Sequence, residues 1–103
     1  MAKIYYAKNL RDLGMGWRFI EKNLPELMLK LETLDFSETH VLLTEEPEND
    51  LEKIFIKYQD NNEIGALVKE NKDLHHTSMS VGDIVANESG TYYCDNDGWV
   101  KLN

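Results

Sequence analysis

Two polar turns near the end of the chain, Asn87-Glu88-Ser89-Gly90 and Asp95-Asn96-Asp97-Gly98, constrain the fold more than any other feature. They separate three runs rich in β-branched and aromatic residues: Val81 to Val85, Thr91-Tyr92-Tyr93-Cys94, and Trp99-Val100-Lys101-Leu102. Short connections of this composition join antiparallel neighbours, and Gly98 supplies the positive φ that a tight hairpin needs. The C-terminal third therefore reads as a three-strand meander. Strand alternation sets Trp99 and Lys101 on one side and Val100 and Leu102 on the other. It also sends one ring of the Tyr92-Tyr93 pair inward and the other outward.

Upstream, the apolar spacing changes from two to three and four. Ile20, Leu24, Leu27, Met28, Leu31 and Leu34 form one helical stripe, interrupted by Pro25. Because proline is tolerated in a first helical turn, the spacing predicts a short helical turn over 16–23 and a main helix over 24–34. Asn49 and Glu52 fit a capping box, and Leu51, Ile54, Phe55 and Tyr58 then share one face. Asp60-Asn61-Asn62 ends that helix, and Ile64, Leu67 and Val68 predict another over 63–71. Ile4-Tyr5-Tyr6-Ala7 and His40-Val41-Leu42-Leu43 are strand candidates able to join the meander. The expected fold is a single α+β domain over 1–103. It has a small antiparallel sheet with the C-terminal three-strand meander and two to three helices packed on one face.

The charge narrows the partners. With 19 acids against 11 bases the chain carries −8. That disfavours direct contact with nucleic acid or an anionic membrane, both of which need a basic face. Lys3, Lys8, Arg11, Asp12 and Arg18 interrupt the first twenty residues, so no secretory signal is expected there, nor is any stretch apolar enough for a membrane span. Cys94 is the sole cysteine and has no partner for an internal disulfide. A cytoplasmic protein is expected.

The run Leu51-Glu52-Lys53-Ile54-Phe55, the segment His76-Thr77-Ser78-Met79-Ser80-Val81-Gly82-Asp83-Ile84-Val85, and Tyr92-Tyr93-Cys94-Asp95 with Gly98-Trp99 and Leu102 resemble the YodL-like family. They are also similar to related small proteins of phages and mobile elements. The resemblance covers the C-terminal half. It departs at 60–74, which reads as an added helix, and at Trp99, where the family carries phenylalanine. It implies an accessory protein of a phage or mobile element and supplies no reaction.

In the hydroxyl-rich segment, His76, Ser78, Ser80, Gly82 and Asp83 are expected to build a structural turn. Ser and Thr would bond the local backbone, with Val81 plugging the core. His75 and His76 point to opposite sides of an extended segment, so one is expected to bond locally and the other to be solvated. With a lone cysteine and no paired ligand spacing, no metal or other cofactor is expected. Asp95-Asn96-Asp97-Gly98 lacks the later acid of a calcium loop and reads as a hairpin turn. No catalytic set emerges, and no enzyme is expected: the Ser, His and Asp types crowd one turn, whereas triads assemble from distant segments. A hydrolase-like centre using His76 and Asp83 is the weakest alternative.

A protein partner is expected instead. Tyr92, Tyr93 and Trp99 supply aromatic anchors, and Glu45, Glu46, Glu48 and Asp50 supply an acidic patch. The alternative reading of that patch is an acidic, nucleic-acid-mimicking inhibitor of a host DNA-binding or defence protein. Its bland reading is helix capping and solvation.

Overall fold

The computed structural model describes residues 1–103. Five strands form one antiparallel sheet in the order β2-β1-β3-β4-β5. They are β1 (Ala2–Ala7), β2 (His40–Glu46), β3 (Ile84–Asn87), β4 (Gly90–Asp95) and β5 (Gly98–Lys101). β3, β4 and β5 are the expected meander. β1 lies between β3 and β2, so the N-terminal strand is covered on both edges. The β1–β2 register shifts between Ile4 and Tyr5: Ile4 faces Thr44 and Tyr5 faces Leu42, which leaves Leu43 as an extra residue.

The strand residues alternate between two cores. Ile4, Tyr6 and Val85 bury their side chains on one face; Ile84, Tyr93 and Leu102 bury theirs on the other. Three helices, α1 (Leu10–Leu13), α2 (Trp17–Asn23) and α3 (Pro25–Glu32), pack on the second face through Leu13, Ile20 and Leu31. Pro25 opens α3 in its first turn, as the spacing predicts. Two further helices, α4 (Leu51–Lys57) and α5 (Asn62–Lys69), cover the first face through Ile54, Ile64 and Val68, with Tyr58 just past α4. No helix is long and apolar enough to cross a membrane.

Two details differ from expectation. The α4 cap is Asp50, whose Oδ1 accepts the N–H of Lys53 at 3.0 Å. Asn49 lies one residue too early, and its side-chain oxygen is buried without a partner. The second difference is at β3, which begins at Ile84 and not at Val81. Gly82 has φ +104°, a conformation that breaks a strand and that a side chain could not adopt here without meeting Leu13 Cβ at 2.9 Å. Val81 is only half-buried, and Met79 fills the core in its place.

Candidate functional site

The loop from His76 to Asp83 joins every layer of the molecule. Asp83 has no exposed surface. Its Oδ1 accepts the N–H of Ala7 at 2.8 Å, at the end of β1, and its Oδ2 accepts the N–H of Ser80 at 2.8 Å. His76 Nε2 lies 3.0 Å from Oδ1 and 2.8 Å from Oδ2. Since the carboxylate only accepts, the imidazole carries its proton on Nε2. Burial pushes the Asp83 carboxyl up from the usual range, and the bonds from His76, Ala7 and Ser80 oppose that rise. The His76 ring stacks on Tyr6 with centroids 4.7 Å apart, and the Tyr6 hydroxyl donates to Thr77 O at 3.0 Å.

The same loop is tied to α4 and to the strands. Met79 N–H donates to Tyr58 O at 3.0 Å, Gln59 Nε2 donates to Met79 O at 2.9 Å, and Asp60 N–H donates to Ser78 Oγ at 3.1 Å. Ser80 Oγ donates to Ser78 O at 3.0 Å. From β2, buried His40 donates Nε2–H to Gly82 O at 2.7 Å, while its Nδ1 accepts the Thr39 hydroxyl at 2.8 Å. Burial holds the His40 imidazole down to about 4, with nearby His76 acting in the same direction and the Gly82 bond opposing it. Cys94 on β4 bonds both sides of the turn: it accepts Gly82 N–H at 2.9 Å and donates to Asp83 O at 2.8 Å.

These contacts decide what the segment does chemically. The Ser78 and Ser80 hydroxyls are engaged in loop bonds, neither of them to an imidazole. Cys94 is buried, and burial, with Asp83 and Asp95 nearby, pushes its thiol up to about 12, so it stays protonated at neutral pH. The loop works as a clamp, with Asp83 as its centre. His75 is exposed while His76 is bonded, the split that alternation predicts.

The aromatic residues divide. Tyr93 is fully buried and its hydroxyl donates to Leu13 O, which removes it from any partner surface and corrects the expectation that it is an anchor. Its ring packs edge-on against Trp17, centroids 5.3 Å apart. Tyr92 and Trp99 are half-buried on the opposite face. Tyr92 opposes Lys101, whose Nζ lies 5.9 Å from the ring centroid, and Trp99 opposes Cys94. Tyr92 and Trp99 are thus diagonal neighbours at the β5 edge of the sheet. The Asp95–Gly98 turn ahead of Trp99 has Gly98 at φ +129°, and Asp95 Oδ1 accepts Trp17 N–H at 3.0 Å, fixing the start of α2 to the hairpin.

The acids divide as well. Glu46 is 2 % exposed, which corrects its place in an outward patch. Its carboxylate accepts the Tyr58 hydroxyl at 3.0 Å and the Glu48 N–H at 2.9 Å, and pairs with Lys57 Nζ at 2.8 Å. Burial alone would raise the Glu46 carboxyl, but the Lys57, Glu48 and Tyr58 bonds together bring it below its ordinary value. Glu48 accepts the N–H groups of Asn49 and Asp50, each at 3.0 Å, and Asp50 caps α4. Of the four, Glu45 alone is exposed with no structural bond of its carboxylate.

Sequence reasoning did not find the Asp83–Ala7 and Glu46–Tyr58 contacts. It also passed over Lys8 and Asn9, which line an open depression of about 480 Å³ with Leu10, His75 and His76. No group of three or more His, Cys, Asp or Glu side chains is arranged to hold a metal ion. No protein-family model matches the chain, and no curated protein or solved structure matches it either.

Proposed function

We infer that this protein is a non-catalytic interaction module whose β5 edge receives a protein partner. The observation that carries the reading is the half-exposed pair Tyr92 on β4 and Trp99 on the edge strand β5, side by side on one face of the sheet. Large aromatics with part of their surface in solvent supply contact area at low entropic cost, and an edge strand leaves a row of backbone donors and acceptors for a partner. The engagement of the loop hydroxyls in structural bonds supports a binding role over a hydrolytic one. An acidic mimic draws less support, because Glu46, Glu48 and Asp50 all hold backbone or side-chain donors of their own chain. The likeness to the YodL-like segment adds the proposal that the setting is the cytoplasm of a cell carrying a phage or mobile element.

The test is affinity capture from such a cell with wild-type protein, Tyr92→Ser and the exposed control Leu42→Ser on β2, at the opposite edge of the sheet. A partner retained by wild type and control and lost by Tyr92→Ser supports the reading. Equal retention by all three, or binding that vanishes with modest salt, contradicts it.

A further inference from the structure

We propose that the depression beside His76 binds an oxyanion of the phosphate class. It lies apart from the Tyr92–Trp99 edge and shares no residue with it, so the two readings stand or fall separately. Its polar lining is Lys8, Asn9, His75 and His76, over the apolar Leu10. No carboxylate lines it, in a chain of net charge −8. A volume of about 480 Å³ accommodates a phosphate group with a small organic substituent.

Each polar group is available or preset. His76 is held by two-point contact of Nε2 with Asp83 and by stacking on Tyr6, so its orientation is fixed before any ligand arrives. No protein group bonds its Nδ1, and that atom is not shut off from solvent. With Nε2–H committed to Asp83, the free Nδ1 presents a lone pair that can accept the proton of a hydrogen phosphate. Asn9 uses its Oδ1 to accept Arg11 N–H at 2.8 Å, which turns the amide nitrogen, a pure donor, to the free side. Lys8 makes no ion pair, although Asp12 and Glu38 line the neighbouring depression that it also borders. The Lys8 ammonium and the Asn9 amide supply donors for the acceptor oxygens of a phosphate, and the two imidazoles flank them with no carboxylate in the lining.

The experiment is an NMR titration of the full chain with inorganic phosphate and with phenyl phosphate, at constant ionic strength held with sodium chloride. Wild type should show saturable shifts at the His75 and His76 imidazoles and the Asn9 side-chain amide. Tighter binding of inorganic phosphate would identify the free ion as ligand and tighter binding of phenyl phosphate an ester; either supports the site. Lys8→Gln and His75→Gln alter only solvent-facing groups, so they should weaken binding by about threefold or more each, with the folded spectrum intact. Shifts that do not saturate, or saturable binding that both variants leave unchanged, would overturn the proposal.

Discussion

The carboxylate of Asp83 accepts the backbone N–H of Ala7, 76 positions earlier, at 2.8 Å inside the molecule. That bond fastens the end of the first strand to the start of the meander. With Ser80 and His76 on the same carboxylate, one buried side chain holds the whole polar turn in shape. A buried charge persists only where its acceptor capacity is filled, and here four contacts fill it.

His40 makes stability depend on pH. Its folded-state value of about 4 lies below the 6.5 of an ordinary imidazole, so the unfolded chain binds the proton more readily. The stability it contributes is complete above pH 6.5 and is lost as pH falls towards 4, about 3 kcal/mol at most. Asp83 acts in the opposite sense, since its raised carboxyl favours the folded state as pH falls. Urea unfolding of wild type and His40→Gln at pH 7 and pH 4.5 separates the two. The wild type should lose more stability across that interval than the variant, and equal losses would remove His40 from the account.

Glu46 gives a second measurable network. Tyr58→Phe leaves one carboxylate oxygen short of a donor and should cost about 1 kcal/mol. Glu46→Ala strands the Tyr58 hydroxyl and the Glu48 N–H in a buried place and should cost about 2–3 kcal/mol. Lys57 is half-exposed, so Lys57→Met should cost under about 1 kcal/mol. The check is a double-mutant cycle on Glu46 and Tyr58: a coupling below about 0.5 kcal/mol would show that the pair is not energetically linked.

These two networks mark where the sequence was legible and where it was not. Leu51, Ile54 and Tyr58 announce α4 by spacing alone, because helical burial repeats every three to four residues. The Asn96-Asp97 hairpin is equally plain, since its composition states its backbone. Asp83 leaves no such trace: its partners include the backbone N–H of Ala7, a group every residue but proline carries. Glu46 misleads, because it sits among solvated acids and its burial depends on Tyr58 and Lys57 arriving from another element. Val81 misleads in another way. Its β-branched neighbourhood imitates a strand, while Gly82 bends the chain and hands the core position to Met79. That helices cover both faces of the sheet was not legible, because the adjacent buried pair Ile84 and Val85 shows a strand covered twice only once the register is known.

Leu34 offers a stabilising change. It ends α3 at φ 61°, a left-handed position usually given to glycine, with Asp35 N–H closing back on Lys30 O at 2.9 Å. A side chain there costs about 1–2 kcal/mol, and Leu34 is 37 % exposed, so it recovers little by burial. Leu34→Gly should raise the thermal midpoint, with a gain of about 0.5–1 kcal/mol after the entropy of glycine is counted. A fall in the midpoint would mean that the leucine contacts outweigh the strain.

The most direct test of the clamp is the equilibrium unfolding free energy of Asp83→Ala, measured in urea at pH 7 beside wild type. Removing the carboxylate strands the N–H groups of Ala7 and Ser80 away from water, and the predicted loss is about 3–5 kcal/mol, with faster amide exchange at both residues. Stability within about 0.5 kcal/mol of wild type would contradict the account and return His76 and Asp83 to the chemistry of a reaction centre.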